Sequence, residues 1–416
     1  MSAREDYIDL AESFLRQKQD WAVTGAEPYS ATRELRYGME QQEKRLKRKG
    51  LVLEEEYAFR EGDIRSCMDA KDNSASPCHG HTAYRETRRT REFRSGDKVL
   101  RRDDRPLIVY ANVIDRIGGG DFAVNCPNCG SVTMASQLEQ GCPYCGTFFR
   151  MKELYPRVSS YYTVDQVMDR YKADERLKKT FTRLGISLVA VFFLLFFWQG
   201  KDYKLWFRIL FAAFYGGFTG AIGTLVCYLA YSTFLLFRLF RMAGKSLAML
   251  PGLGTKKKLS SRMEAYEPAF STEAFEGRII SKLKTILFSD DRDSLNLYEG
   301  NDDLGVFDDL VDMEYRGAFK LRDFRVMEGH VYIILEFFME DTYYRDGRLR
   351  QKDERLLVSL ERKADAVTDP GFTVSAVQCR NCGSSFDALH KKECPYCGTE
   401  YRLDENDWLI TGIRKN

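Results

Sequence analysis

The sequence predicts an α+β protein with two domains, each built from helices followed by an antiparallel sheet, joined by a two-helix transmembrane hairpin. Three observations support this prediction. Eight of the eleven cysteines form two sets of paired C-x2-C motifs. An apolar block extends from Phe181 to Phe240. Around the cysteine sets, helical periodicity comes first and strand-like segments follow, which is typical of an α+β arrangement.

Each cysteine set has the spacing of a zinc ribbon inserted into its domain, the first at residues 126–145 and the second at residues 379–397. Two cysteines separated by two residues can place both sulfurs on one metal ion, and the glycine after each pair permits a tight turn. Four sulfurs close a tetrahedral shell that suits a structural Zn2+ ion, with an iron–sulfur cluster or rubredoxin-like iron as the alternative. The eight predicted ligands, for two structural zinc ions, are Cys126, Cys129, Cys142, Cys145, Cys379, Cys382, Cys394 and Cys397.

The cysteines also indicate a compartment. Thiolates that serve as metal ligands must stay reduced, which is typical of the cytosol. The net charge of +2 is nearly balanced and gives no overall attraction to nucleic acid. The first ten residues, MSAREDYIDL, are acidic and polar, so we expect neither a secretory signal nor a transit segment there.

The apolar block predicts two membrane-spanning helices, at about 181–198 and 209–237, with a polar link between them. Buried helices of a soluble core are the alternative, but no charge occurs between Arg208 and Arg238. Positive residues flank the hairpin, which predicts a multi-pass protein of the cell (cytoplasmic) membrane with both termini in the cytoplasm. These residues are Arg170, Lys172, Arg176, Lys178, Lys179 and Arg183 before the first span, and Arg238, Arg241, Lys245, Lys256, Lys257 and Lys258 after the second.

The second predicted span contains a G-x-x-x-G pair, Gly216 and Gly220. Small residues at this spacing let another helix approach closely. We expect the first span of the same hairpin to be the partner, with a second copy of the chain as the alternative.

Composition divides the chain into an N-terminal domain (1–165), the hairpin (181–240), a basic juxtamembrane linker (241–266) and a C-terminal domain (267–416). Matching features precede both ribbons: a glycine turn, a charged step that ends in arginine, and a strand at 107–114 or 356–360. This match predicts a duplicated domain, and the alternative is that only the ribbon repeats.

The C-terminal domain has the clearer pattern. Ser271 is predicted to cap a helix at 272–288 with an apolar face. A second helix is expected around 306–315. The predicted strands lie at 318–327, 330–344, 355–362 and 407–413, and the helices of the first copy lie near 6–22 and 31–49.

Four of these segments carry a resemblance to a known family. They are EPAFS at 267–271, the helix at 275–287, the strand hairpin at 319–344 and the closing WLITGI at 408–413. This order resembles the Tim-forty-four-like domain, the cone-shaped fold of the mitochondrial import-motor tether and its bacterial relatives. The resemblance implies cone-like domains and a membrane-associated adaptor or transport component of bacterial type. A ribbon inside the last hairpin and a membrane hairpin before the domain depart from the family pattern.

The leading functional hypothesis is a non-catalytic scaffold or transport-associated adaptor, anchored in the membrane, whose cytoplasmic domains bind a protein or lipid partner. An unidentified protein is the expected partner. Lys256, Lys257 and Lys258 could contact anionic lipid headgroups, although the ordinary positive flank of a membrane helix explains them as well.

Two alternatives remain. A small-molecule-binding or catalytic cone would need acid or base residues in its cavity, and His330, Glu336 and Glu340 are the candidates. Glu336 lies between Leu335 and Phe337, which allows it to point inward, but we expect it on the solvated face of the sheet. A zinc-ribbon nucleic-acid binder would use the arginine-rich segment 84–105. Acidic residues interleave throughout that segment, so a solvated charged strand or helix is predicted and nucleic acid is not expected.

A third metal site is suggested by Cys78, His79 and His81, which Cys67 could join. The polar composition of the surrounding stretch favours a solvated loop instead. His390 lies within the second ribbon, whose four cysteines already complete a metal shell, so it is predicted to be a surface residue.

Overall fold

The computed structural model describes residues 3–70, 78–116, 121–166, 170–246, 250–366 and 368–416. The chain divides into two compact units. One unit combines residues 1–166 with residues 251–416, and the other consists of residues 167–250.

The N-terminal half of the first unit contains two long helices and an antiparallel sheet in the order β1-β3-β4-β7, with β2 also paired to β3. Strands β5 and β6 form a separate two-stranded sheet in the first cysteine region. The elements are α1 (Ala3–Thr24), α2 (Arg33–Arg48), β1 (Val52–Ala58), β2 (Arg65–Asp69), β3 (Cys78–Ser95), β4 (Lys98–Arg116), β5 (Ala123–Asn125), β6 (Val132–Met134), α3 (Ala135–Gln140), α4 (Met151–Leu154) and β7 (Arg157–Asp165).

The C-terminal half has an antiparallel sheet in the order β8-β9-β10-β13, and β11 and β12 pair in the second cysteine region. In each half the cysteine region lies between the last two strands of the main sheet. The elements are α7 (Leu250–Met263), α8 (Thr272–Phe288), β8 (Leu310–Met327), β9 (His330–Arg345), β10 (Arg348–Lys363), β11 (Val377–Gln378), β12 (Ser385–Phe386) and β13 (Leu409–Lys415).

Helix α8 has the predicted limits, and the Ser271 side chain accepts a hydrogen bond from the backbone N–H of Ala274 at 3.3 Å, so the predicted cap is confirmed. The predicted second helix at 306–315 is wrong. A short 3-10 turn covers Leu304–Phe307, and strand β8 begins at Leu310. The first residues of β8 are buried on both faces, which produces an apolar pattern without strand-like alternation.

The two halves pack together as one unit rather than as the separate domains that the sequence divides at 165 and 267. Helix α2 packs on α8, and β7 lies against β8. A small apolar cluster also joins them, since Leu46, Leu51 and Phe93 bury their side chains with Val311. This burial is the physical reason for a single unit.

The linker predicted at 241–266 contains helix α7, which is part of the C-terminal core. Leu259 and Met263 are fully buried there. Lys256 forms an ion pair with Glu276 at 2.7 Å, and Glu276 also accepts hydrogen bonds from Tyr162 and Tyr315. Burial raises the pKa of Glu276, although Lys256 opposes the rise.

The second unit is a pair of long helices, α5 (Arg170–Gln199) and α6 (Leu205–Ser246). The segments 179–199 and 205–233 are long and apolar enough to cross a membrane, so the prediction of two such helices is confirmed. A Cβ atom added at Gly216 or Gly220 would lie within 2.7–2.8 Å of the α5 backbone. Helix α5, which contains the predicted first span, is therefore the helix that the G-x-x-x-G pair contacts. Arg208 donates to the Phe197 carbonyl at 2.8 Å and stacks over its ring.

Candidate metal centres

All four C-x2-C pairs adopt the same backbone turn. In each pair the N–H of the glycine after the second cysteine donates to the carbonyl of the first cysteine at 2.8–2.9 Å. The four glycines have φ between 69° and 74°, a left-handed conformation that disfavours residues with a Cβ atom. The sequence predicted these glycine turns. The four glycines are Gly130, Gly146, Gly383 and Gly398.

The turns bring the eight cysteines together as two groups of four, and this part of the prediction is confirmed. In the first group the Sγ atoms of Cys126 and Cys145 are 3.7 Å apart. In the second group those of Cys379 and Cys397 are 3.6 Å apart. A disulfide would need about 2.05 Å. A tetrahedral metal with bonds to sulfur of about 2.3 Å has edges of about 3.8 Å, so the geometry fits a metal centre in both groups.

Each group combines two buried and two exposed sulfurs. Burial raises the pKa of Cys126 to about 12. Hydrogen bonds with Thr147 and Thr399 lower the pKa of Cys145 and of Cys397 to about 6. Each centre therefore offers exposed thiolates at neutral pH, the form that binds metal.

Polar residues that the sequence did not single out support the exposed sulfurs. Asn128 donates to the Cys145 sulfur at 3.5 Å and to the Thr147 hydroxyl at 2.8 Å. In the second centre Asn381 donates to Thr399 at 3.2 Å. Asparagine before the second cysteine and threonine after the last glycine occur in both ribbons, and this shared pattern is the signal that sequence reasoning missed. Such outer contacts orient metal ligands.

The two ribbons lie side by side within one unit. Asn125 and Ser375 exchange two hydrogen bonds, at 3.0 and 2.9 Å, between the two cysteine regions. Tyr144 and Tyr396 occupy the same position in the Cys-Pro-Tyr-Cys motifs and are 62% and 61% exposed. A hydrogen bond with Tyr396 raises the pKa of Tyr144. We call the adjacent pair Tyr144 and Tyr396 the aromatic surface.

The acid and base candidates in the C-terminal sheet are bound to other side chains. His330 contacts Asp404 at 3.1 Å. Glu336 and Glu340 are both buried, so the expected place of Glu336 on the solvated face of the sheet is wrong. Burial would raise the pKa of Glu336, but Arg322 at 2.8 Å and Asn416 hold it below its ordinary value.

The arginine-rich segment 84–105 forms the β3–β4 hairpin, and the prediction that it is solvated is wrong for its central arginines. Arg89 and Arg91 are buried and face the C-terminal half. Arg91 binds Asp312 at 2.6 Å and Glu314 at 2.8 Å. Burial alone would lower the pKa of Arg91, but these carboxylates raise it. These two arginines are therefore engaged inside the protein.

A polar cavity of about 190 Å³ opens where both halves meet the first ribbon. Its lining includes Arg33, Arg36, Arg157 and Arg278 together with the acidic residues Glu34 and Asp407. Burial and the nearby Arg36 lower the pKa of Arg157.

Residues 78–81 belong to strand β3, so the predicted solvated loop is wrong for this stretch. Cys78 is buried, but it is not a member of the third potential metal cluster, which consists of Cys67, Asp69 and His81. His390 is exposed, as predicted.

Comparisons of the chain with protein-family models, with curated proteins and with solved structures give no match.

Proposed function

We propose that this protein is a membrane-anchored zinc-binding scaffold, an adaptor that presents paired zinc ribbons to a protein partner at the cytoplasmic face of the membrane. The observation that carries the proposal is the side-by-side arrangement of two closed four-sulfur centres beneath an exposed aromatic surface. Each part of this proposal has its own support.

Zinc is the proposed ion in both centres. Four sulfurs at tetrahedral separations leave no position for water or substrate, which favours a structural role. In zinc-finger peptides such sites contribute roughly 10–16 kcal/mol of apparent binding free energy. Zinc would therefore hold the turns that position the aromatic surface.

The proposed location rests on two arguments. Helices α5 and α6 have the length and composition of a transmembrane hairpin, and positive residues flank both outer ends. The exposed cysteines require a reducing environment to bind zinc. Both arguments favour a cytoplasmic position for the unit that carries the ribbons.

We also propose that the two halves are duplicated copies of one domain. Support comes from the strand orders β1-β3-β4-β7 and β8-β9-β10-β13, with a cysteine region before the last strand in each. The Tim-forty-four-like resemblance of the C-terminal half remains a hypothesis that is consistent with an adaptor role.

A protein is the proposed partner because the aromatic surface combines apolar area with hydroxyl groups, a composition typical of protein interfaces. The test is to replace Tyr144 or Tyr396 with a photoreactive phenylalanine derivative in the native cell. Val306, which is 52% exposed, provides the control position in the same unit. We expect one protein to be crosslinked from both tyrosine positions and not from 306. Crosslinking from all three positions, or from none, would contradict the proposal.

The arginine cavity favours a second candidate function, the binding of a small anionic molecule. Burial, and after it the nearby Arg36, lower the pKa of Arg157, and an anion bound beside the two arginines would relieve their repulsion. Binding of a dicarboxylate such as succinate to the detergent-purified chain would test this idea. We expect Arg157→Gln to weaken binding at least tenfold and Arg348→Gln, at an exposed position, to leave it unchanged. No binding to the wild-type chain would exclude this dicarboxylate as a ligand of the cavity.

A further inference from the structure

We infer that Cys67, Asp69 and His81 form a third metal site, distinct from the two ribbons, which binds an exchangeable divalent ion such as Zn2+ and leaves one coordination position open. One ligand atom from each residue lies within 4.8 Å of the other two.

The strand register creates this cluster. Asp69 of β2 is directly opposite His81 of β3 in the antiparallel pair. Cys67 precedes Asp69 by two residues, so both side chains project from the same face of β2. Three residues of different chemistry therefore meet on one sheet face, and none of the eight ribbon cysteines belongs to this cluster.

The Asp69 carboxylate is oriented so that one oxygen binds Arg4 and the other faces His81. Arg4 binds Oδ2, with its Nη2 at 2.5 Å and its Nε at 3.2 Å. The other oxygen, Oδ1, lies 3.0 Å from Nδ1 of His81. An ion held by Oδ1 would keep the Arg4 contact as an outer support for its ligand.

The imidazole of His81 is fixed in its plane. It stacks on Tyr7 with a centroid distance of 4.1 Å, and the Tyr7 hydroxyl donates to Asp115 at 2.8 Å. His81 is buried, and its Nε2 atom has no hydrogen-bond partner among the residues that the structure describes. Within the described part of the chain, its one side-chain hydrogen bond is with Asp69, which belongs to the same cluster.

The ligand set and the separations fit a borderline divalent ion. Bonds of about 2.0–2.3 Å from nitrogen, oxygen and sulfur give tetrahedral edges of roughly 3.3–3.8 Å. The 3.0 Å separation of Oδ1 and Nδ1 is close to this range, and small side-chain rotations would complete it. A thiolate and a carboxylate neutralise a divalent charge. Three protein ligands leave the fourth position for water or a small donor, as in zinc sites that exchange ligands.

The test uses the full chain in detergent, loaded with two equivalents of zinc to fill the ribbons and then titrated with Co2+. We expect a third metal equivalent with a near-ultraviolet thiolate-to-cobalt absorption band. Cys67→Ser and His81→Gln should each weaken binding of this equivalent at least tenfold. Cys78→Ser, which alters a different buried thiol at the start of β3, should not weaken it.

Asp69→Asn is a further variant. The Asp69 side chain is 43% exposed, so the fold of this variant should be preserved, and binding of the third metal equivalent should also weaken. Retention of the two ribbon ions shows that each variant is folded. Absence of a third equivalent in the wild-type chain, or its full retention in Cys67→Ser, would overturn the inference.

Discussion

Arg91 illustrates how single buried charges hold the two halves of this protein together. Its guanidinium lies among Asp103, Asp312 and Glu314, of which the last two belong to the C-terminal half. Buried ion pairs of this kind are costly to break because the remaining charges lose their partner without regaining water.

Arg91→Met should therefore lower the free energy of unfolding by about 3–5 kcal/mol, the usual cost of removing one member of a buried ion pair. Urea denaturation of the detergent-purified chain, followed by circular dichroism, measures the change. Arg102→Met is the control, because Arg102 lies on the adjacent strand with a side chain that is 68% exposed and should have a much smaller effect. Equal losses in the two variants would show that the buried network does not join the halves.

Asp341 is a second informative residue because it is buried without a cationic partner in direct contact among the described residues. Burial and the adjacent Glu354 raise its pKa well above the ordinary value. A raised pKa in the folded state stabilises the protein below the ordinary aspartate pKa, and this contribution is lost as the pH rises through the raised value.

Asp341→Asn should consequently be more stable than the wild-type chain at pH 8, and the difference should shrink at pH 5. Thermal unfolding at both pH values tests this expectation. Asp353→Asn changes a neighbouring aspartate with a side chain that is 80% exposed and should show no comparable trend. A variant that is less stable than the wild type at pH 8 would mean that Asp341 is ionised and stabilising.

At the scale of elements, the hairpin depends on close contact between α5 and α6. Gly220→Leu should destabilise the helix pair by about 1–3 kcal/mol, because any side chain would collide with the backbone at Val189. Gly217→Leu is a matched control, since a Cβ atom there meets nothing within 4 Å. Thermal unfolding in detergent, followed by the far-ultraviolet circular dichroism of the helices, should separate the two variants, and equal behaviour would contradict close packing at Gly220.

The elements also show what local sequence can predict. Helix α8 was predicted with its limits because Ser271 and the apolar periodicity are local signals. The start of β8 was mistaken for a helix because its apolar and acidic residues are buried on both faces. Its buried acids Asp312 and Glu314 are balanced by Arg91, more than 200 residues away in the sequence. No local pattern contains that information.

At the scale of the whole molecule, the candidate sites also separate into those that local sequence predicts and those that depend on contacts between distant segments. All eight ribbon cysteines were predicted, because each metal centre is built from two local turns. The cluster of Cys67, Asp69 and His81 was only partly foreseen, since it depends on the register between β2 and β3. The packing of both halves into one unit was missed, because it rests on ion pairs and apolar contacts between distant segments.

The most direct test of the central claim is the metal content of freshly reduced chain carrying Cys67→Ser, measured by native mass spectrometry and elemental analysis. Two zinc ions per chain are predicted, falling to one in each of the further variants Cys129→Ser and Cys382→Ser. A metal count near zero, or iron in place of zinc, would contradict the account of two structural zinc ribbons.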